Sequence, residues 1–576
     1  MKIIRGLMKN QNSLQSLKRL FSIAQTYNRK LSGGSCASSK WATLARNQSD
    51  YWKAARNAAQ TGPGVLMATS IGSFLHGSIV ESALAVALTL RGAKVDVLLC
   101  DGVLPGCQFI KITNTSTDHL AKGPPLERCK SCQETGRKLF APFGFKIHWY
   151  SEFITSEQAA TARQIAATMP LREIREYCLH GLAVGEHAVA GALRYFARGD
   201  LNGEPAGEQV LRSYLRASLL SVYAIAGLLK QNLYDVACFH HGLYVPQGLI
   251  GEVCRKKGIR VVNWNTAYRK QCFIFSHGDT YHHTMVCEPT IDWENLSWTP
   301  ELETKTLNYL RSRWQGTNDW IWFHDTPQED VRQIEKETGI DFSKPCIGML
   351  TNVMWDAQLH YASNAFPNML EWVLQTIRYF ITRPELQLII RVHPAEIRGL
   401  IPSRQLLVPE IRRAFPELPP NVFIVPPESQ ISTYVLMNQC NSVIIYNTKT
   451  GIEVSSMGIP VIVAGEAWIR GKGFSRDVKS PDDYFKTLGQ LPFPAGLSSS
   501  ELELARKYAF HFFFRRMIPL PFIRPIVKAQ IAIELAGLQL LEPGNFMGLD
   551  VICEGILRGT PFIYPAEHLN TMTQVV

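Results

Sequence analysis

Nowhere in the 576 residues is there an apolar run approaching the ~18 that a membrane-spanning helix needs. The basic stretch Met1–Leu20 is interrupted by Gln11, Asn12 and Gln15, so it lacks the continuous apolar core of a secretory signal. Internal repeats, low-complexity tracts and long Lys/Arg blocks are also missing, as are RNA-binding and helix-turn-helix signatures. Nucleic acid is therefore not an expected partner, although the net charge is +11 and the pI about 9.0. Thirteen cysteines in a chain this long do not make a secreted disulfide scaffold. Together these absences predict a cytoplasmic protein whose only membrane contact is peripheral, at the inner membrane surface.

What is present is a globular composition, 46% hydrophobic and 19% charged. The length calls for two or three domains. A basic surface suits anionic substrates as well as anionic lipid. The 12 tryptophans are of a kind that lines sugar sites, though core packing is their commoner use.

The chain alternates strand and helix patterns in two series. A polar lead-in covers 1–60. A first α/β domain is expected over 61–330, opening with a strand at 64–71, a Gly-containing turn at 72–77, helical spacing over 79–90 and a second strand at 94–100. A second α/β domain is expected over 331–497, with strands at 346–350, 386–392, 421–425, 442–446 and 460–464. The segment 498–576 turns helical and aromatic. The fold class is α/β: two Rossmann-like doubly wound domains facing a cleft, plus C-terminal helices.

The most informative segment is Ile445-Tyr446-Asn447-Thr448-Lys449-Thr450-Gly451-Ile452-Glu453. It leaves a strand and enters a helix, where Asn447, Thr448, Thr450 and free backbone N–H groups suit a phosphate. Glu453 follows on the first turns, placed to accept ribose hydroxyls. In open α/β sheets ligands bind at such carboxyl edges. The competing role is an N-capped helix whose Glu offsets the dipole. Arg391-Val392-His393-Pro394-Ala395-Glu396 brings His393 and Glu396 to the same edge, and the loop Gly465–Phe474 adds Arg470 and Lys472 for a diphosphate or sugar acid. A structural histidine and a solvated basic loop are the plainer alternatives.

His393-Pro394, the Tyr-Asn-Thr strand end, Gly451-Ile452-Glu453, Gly458-Ile459-Pro460-Val461-Ile462 and Gly471-Lys472-Gly473 resemble the bacterial capsule polysaccharide biosynthesis family. That family includes the Kdo transferases of capsule assembly and is similar in pattern to His-Pro sialyltransferases. The resemblance is strongest over 345–485 and weaker over 62–288. It implies a GT-B glycosyltransferase, a nucleotide held by the C-terminal domain, and His393 and Glu453 as donor contacts. Its partners would be a CMP-, UDP- or GDP-linked sugar and a glycan or glycolipid acceptor. Asn447-Thr448 stands where Ser-Thr or Ser-Ser is frequent, so the nucleotide base stays open.

In the first domain, Gly72-Ser73-Phe74-Leu75-His76-Gly77-Ser78 resembles the GT-B loop that turns a histidine to the cleft. His76 is the candidate base for an inverting transfer, with Asp101 and Glu81 as alternatives and helix capping as the bland role. His240 and His241 end another strand, with Tyr281-His282-His283 downstream; acceptor lining or packing is expected there, because neighbours on a strand point to opposite faces. Asp356 lies near the cleft or serves as an N-cap. No Asp-x-Asp pair is present, so no catalytic metal is expected.

Cys100, Cys107, Cys129 and Cys132 form a Cys-x6-Cys…Cys-x2-Cys set. Structural zinc or an iron–sulfur cluster is weighed against free thiols or a redox pair. The readings that compete with transfer are a nucleotide-sugar epimerase of the same fold and a non-catalytic polysaccharide-binding or assembly protein.

Overall fold

The computed structural model describes residues 40–314, 319–320, 327–356, 359, 363–527 and 530–569. Most of the expected lead-in, including Met1–Leu20, lies outside the described residues. Residues 40–47 and the helix Ser49–Ala58 cover one face of the first domain, where Trp52 donates its indole N–H to the Phe143 carbonyl at 2.8 Å.

The first sheet holds β1 (Gly64–Ser70), β2 (Lys94–Leu99), β3 (Lys146–Trp149), β4 (Val236–His240), β5 (Arg260–Thr266) and β6 (Cys272–His277). Strands β1 to β5 run parallel, in the order β5-β4-β1-β2-β3, and β6 joins β5 antiparallel. Parallel strands covered on both sides read as near-continuous apolar runs, and β1 shows it: Val65 and Met67 enter one core, Leu66 and Ala68 the other. Helix Leu75–Leu90 is buried from Gly77 to Thr89, which its Ala, Val and Leu content permits.

The second sheet is parallel throughout. It holds β7 (Cys346–Leu350), β8 (Gln387–Arg391), β9 (Val422–Val425), β10 (Ser442–Ile445), β11 (Val461–Val463) and β12 (Arg476–Asp477), in the order β12-β11-β10-β7-β8-β9. Ile347 and Met349 face one core, Cys346 and Leu350 the other. Two Rossmann-like sheets are thus present, as expected.

The C-terminal segment does more than its helical pattern predicts. Helix Ser499–Phe510 packs on the second domain, and β13 (Ile518–Pro519) then adds a strand to β6 of the first. A hairpin of β14 (Ile523–Val527) and β15 (Gln530–Ile533) follows, and helix Met547–Arg558 buries Ile552, Cys553 and Ile556 in the first domain's core. The tail therefore straps the two domains together.

Strand order reverses between β1 and β4 in the first sheet, and between β7 and β10 in the second. A crevice opens at the carboxyl ends wherever order reverses, because the helices leave to opposite faces. The loops after these four strands position the candidate site.

Candidate active-site cleft

On the first domain's side, the loop after β1 enters helix Leu75–Leu90, and His76 is that helix's second residue. Its ring meets Trp320 edge-on at 6.2 Å between centroids. Burial pushes the imidazole down to about 4, so it is neutral at pH 7. His240 ends β4 and donates from Nε2 to the Asn265 side-chain oxygen at 3.0 Å. Its ring packs 4.7 Å from Phe74 and 4.9 Å from Trp264, and burial lowers it to about 3.

His241 departs from the expected alternation. The strand ends at His240, and His241 takes a φ of +71°, in the left-handed region. The backbone turns there, and the two rings become neighbours at 5.5 Å. His241 also lies 5.0 Å from Tyr244 and 5.9 Å from His282. His282, half-buried and lowered by desolvation to about 3, continues this wall toward Trp468 at 6.1 Å.

The two carboxylates expected as alternative bases are held differently. Asp101 follows β2 and accepts the backbone N–H of Ser151 at 3.4 Å and the Ser151 hydroxyl. Glu81 is fully buried within its helix and accepts the Trp264 indole N–H at 3.0 Å. Burial raises its carboxyl to about 7. It lies beneath the histidine wall, in the core between helix and sheet.

On the second domain's side, His393 follows β8. Its Nδ1 accepts the Ala395 backbone N–H at 3.0 Å, which leaves the proton on Nε2. Burial first, then Lys449 and Arg391, lower it to about 4. Arg391 is itself buried and donates to the carbonyls of Pro426 at 2.7 Å and Ser429 at 3.2 Å, pinning the neighbouring loop. Asn447, Thr448 and Thr450 follow β10, with Thr450 N–H donating to the Thr448 hydroxyl at 3.4 Å.

Glu453 is 1% exposed and sits within a buried charge network. The Lys449 ammonium lies 2.5 Å from Oε1, Arg313 Nε lies 3.3 Å from the same oxygen, and the Tyr434 hydroxyl donates to Oε2. Burial alone would raise this carboxyl, but Arg313 and Lys449 override it and hold it at about 2. Arg313 also pairs with Asp319, which accepts the Tyr309 hydroxyl at 2.8 Å. Sequence reading missed Arg313, Asp319, Tyr309 and Tyr434, since they come from the region between the domains and from helix Thr433–Asn438. The i,i+4 spacing of Lys449 and Glu453 was the one available signal.

Three expected donor contacts have other partners here. Arg470 donates to the carbonyls of Gly465 at 2.9 Å, Val463 at 3.2 Å and Val478 at 2.7 Å. Lys472 donates to Glu288 O at 2.6 Å and Val286 O at 3.4 Å, tying the Gly465–Phe474 loop to the first domain. Glu396 accepts the Leu407 N–H at 3.1 Å at the start of another helix, and burial raises it to about 7. Arg470 and Glu396 hold nearby backbone, and Lys472 holds backbone of the other domain.

The two edges meet. Tyr244 donates to Asp356 Oδ1 at 2.9 Å, joining the loops after β4 and β7. Lys449 lies 4.7 Å above the Tyr268 ring, and the Trp468 indole donates to His282 O at 3.2 Å. Asp356 is thus a bridge between domains. A cavity of about 680 Å³ lies elsewhere, lined by Arg198, Asp200, Arg404 and Glu410 among others, and includes none of the expected site residues. Cys100, Cys107, Cys129 and Cys132 line a separate cavity beside β1 and β2. Among the described residues no helix is long and apolar enough to cross a membrane.

Residues 328–490 match the family model described as capsule polysaccharide biosynthesis protein, so the resemblance read from the motifs holds over the second domain. No curated protein matches the chain in sequence. Among solved structures it is similar to the KpsC beta Kdo 2,4 transferase of Thermosulfurimonas dismutans, at 12% identity and a TM-score of 0.31, covering 47% of this chain and 79% of that one. It is also similar to the UDP-GlcNAc 2-epimerase of Neisseria meningitidis, at 11% identity and a TM-score of 0.24, covering 77% and 98%. The calicheamicin glycosyltransferase CalG4 gives 11% identity and a TM-score of 0.23, covering 78% and 94%. At these values the likenesses say nothing of activity, and the strand order itself carries the fold.

Proposed function

From a second domain that carries the capsule polysaccharide biosynthesis pattern, we propose that the chain is a glycosyltransferase that moves a sugar from a nucleotide donor to a surface glycan. The observation that supports this most is the meeting of two switch points. One offers neutral imidazoles and aromatic rings, the other a polar, cation-bearing edge. A transferase needs that division: a proton acceptor on the acceptor's side and charge stabilisation on the leaving group's side.

In the proposed step, the acceptor hydroxyl gives its proton to His76 while its oxygen attacks the anomeric carbon from the side opposite the donor phosphate. The new C–O bond forms as the bond to phosphate breaks, and the leaving nucleotide keeps the electron pair. His393 donates from Nε2 to that phosphate, and Lys449 adds positive charge beside it. Glu453 takes a ribose when Lys449 turns from it to the phosphate. His240, His241 and Asp356 line the acceptor's side. No catalytic metal is part of this reading.

The test is nucleotide release from a panel of CMP-, UDP- and GDP-sugars, with and without glycan acceptors. Release that depends on acceptor supports transfer. Donor turnover without acceptor makes the chain an epimerase, and no nucleotide binding by calorimetry makes it an assembly protein.

A further inference from the structure

Four of the thirteen cysteines fall between residues 100 and 132, and the fold gathers all four at one place. Cys100 follows β2, Cys107 lies in the loop beyond it, and Cys129 and Cys132 share a face of helix Leu126–Phe140. They line one cavity together with Ser70, Ile71, Phe109 and Arg128. All four are free thiols.

The backbone around them is shaped to the sulfurs. Gly102 donates its N–H to Cys100 Sγ at 3.4 Å, and Ser73 donates to Cys132 Sγ at 3.3 Å. Gly102 has a φ of +91°, and a Cβ there would lie 3.0 Å from Cys129 Cβ. At Gly72 a Cβ would come within 2.3 Å of the Cys132 carbonyl oxygen, so only glycine lets the β1 loop lie against the helix. N–H groups aimed at sulfur, in a mostly apolar pocket, are a recurrent setting of thiolate-bound iron.

Burial pushes the Cys107 and Cys129 thiols up to about 12. Arg128, which lowers Cys129, supplies a cation at the rim for an anionic guest.

Among the described residues no group of three or more His, Cys, Asp or Glu side chains is set to hold a metal ion. A single zinc would draw all four sulfurs to ~2.3 Å from one point. A cluster instead keeps its ligands at the corners of a wider cage, with iron and sulfide inside. We propose that Cys100, Cys107, Cys129 and Cys132 ligate a [4Fe–4S] cluster at the carboxyl ends of β1 and β2.

The chemistry of loading is ligand exchange. Four S–H bonds give way to four S–Fe bonds as a thiolate-bound donor hands over its [4Fe–4S]²⁺ core, and the donor's thiolates take the four protons. No electron is exchanged. Because Ser73 and Gly72 lie on the loop that leads to His76, the cluster would brace the first domain's side of the cleft. The proposal is independent of the transferase reading, since its readout is metal and sulfide.

Tag-free protein, produced and purified without oxygen or chelator, is assayed for iron, zinc and acid-labile sulfide, and its visible spectrum is recorded before and after dithionite. The expected result is about four irons and about four sulfides per chain, with a broad visible absorption that reduction bleaches. Cys129→Ser/Cys132→Ser should lose both, whereas Cys178→Ser, at an exposed thiol outside the set, should keep them. Zinc at one per chain without sulfide overturns the proposal. So does protein holding neither iron nor sulfide after incubation with a preformed cluster donor. The unsubstituted chain decides both points even if the double variant fails to fold.

Discussion

The carboxyl edges of the two sheets are built by one topological rule and stocked with opposite electrostatics. In the first domain, His76, His240 and His282 are desolvated to about 4, 3 and 3, and their neighbours are Trp320, Phe74, Trp264 and Trp468. In the second, Glu453 and Asp319 are buried and Lys449 and Arg313 half-buried, yet all four remain in ion-pairing contact. Burial is common to both, so it does not set the charge. What differs is the local answer to desolvation: it dominates at His76, His240 and His282, with Asp279 offsetting it only in part at His282, whereas a guanidinium and an ammonium surround the one carboxylate of the second edge. An uncharged edge can take up a proton, whereas a pre-paired one can exchange an internal partner for a phosphate.

The most damaging single change to this division should be His76→Ala. If the first edge supplies the base, kcat falls by roughly 100- to 10,000-fold while donor affinity stays near its original value. Steady-state kinetics with donor affinity from calorimetry separates the two quantities. A loss of donor affinity equal to the loss of turnover would place His76 on the nucleotide's side and dissolve the comparison.

Next in size is the structural weight of the charged edge. Glu453→Ala leaves Arg313 and Lys449 buried without their carboxylate, and breaking a buried pair from one side costs about 3–5 kcal/mol. Urea unfolding should report a loss of that order, in addition to weaker nucleotide binding. A stability change within about 0.5 kcal/mol, the usual size for a surface site, would show that water already reaches this network.

How much of this was legible beforehand depends on which physical signal each part leaves. Both parallel sheets were readable, because strands such as β7 and β8 are continuous apolar runs of the expected length. β3 was missed, being four residues long and only partly buried, and the strands of the C-terminal strap were hidden behind the aromatic, helical start of that segment. At the site, His76, His393 and Glu453 announce themselves as polar groups at strand ends. Arg313 and Asp319 do not: they approach Glu453 from about 140 residues earlier in the chain, and no local periodicity encodes that approach. Arg470 and Lys472 show the reverse error. Cations between glycines suit phosphate by composition, but backbone carbonyls also need donors: Arg470 serves those of its own loop and the flanking strands, and Lys472 serves those of Val286 and Glu288 in the first domain.

A smaller effect follows from the same contrast as pH falls. His76, His240, His282 and His393 bind protons less readily in the folded chain than at their ordinary 6.5. Their stabilisation is complete above pH 6.5 and is lost as pH falls from there toward 4. Glu81 and Glu396, raised to about 7, run the other way: they stabilise fully below 4.5 and lose that contribution as pH rises through 7. Four imidazoles against two carboxyls leave a net loss on acidification. The urea midpoint should therefore drop between pH 6.5 and 4.5, before Glu453 begins to titrate near 2. A midpoint that holds or rises over that interval would mean the imidazoles are open to water and the first edge is not desolvated.

The smallest effects should come from the carboxylates nearest the first edge. Asp101→Asn keeps one acceptor oxygen for the Ser151 N–H and turns the other into an amide donor to which the Ser151 hydroxyl can rotate and accept, so the main loss is charge assistance, a difference of about 1 kcal/mol between charged and neutral hydrogen bonds. Glu81→Gln preserves an acceptor for the Trp264 indole, and the glutamate it replaces is half-protonated near neutrality. Both variants should hold kcat within about tenfold, since a residue that only orders its neighbours acts through geometry, and the isostere retains that geometry. The comparison gains its edge from the pairing of experiments. If Asp101→Asn or Glu81→Gln loses turnover as steeply as His76→Ala is expected to, the proton goes to a carboxylate, and the first edge carries a functional charge after all. If His76→Ala is crippled while both isosteres work, the neutral imidazole is the acceptor, and Glu81 is left as the buried brace beneath His240.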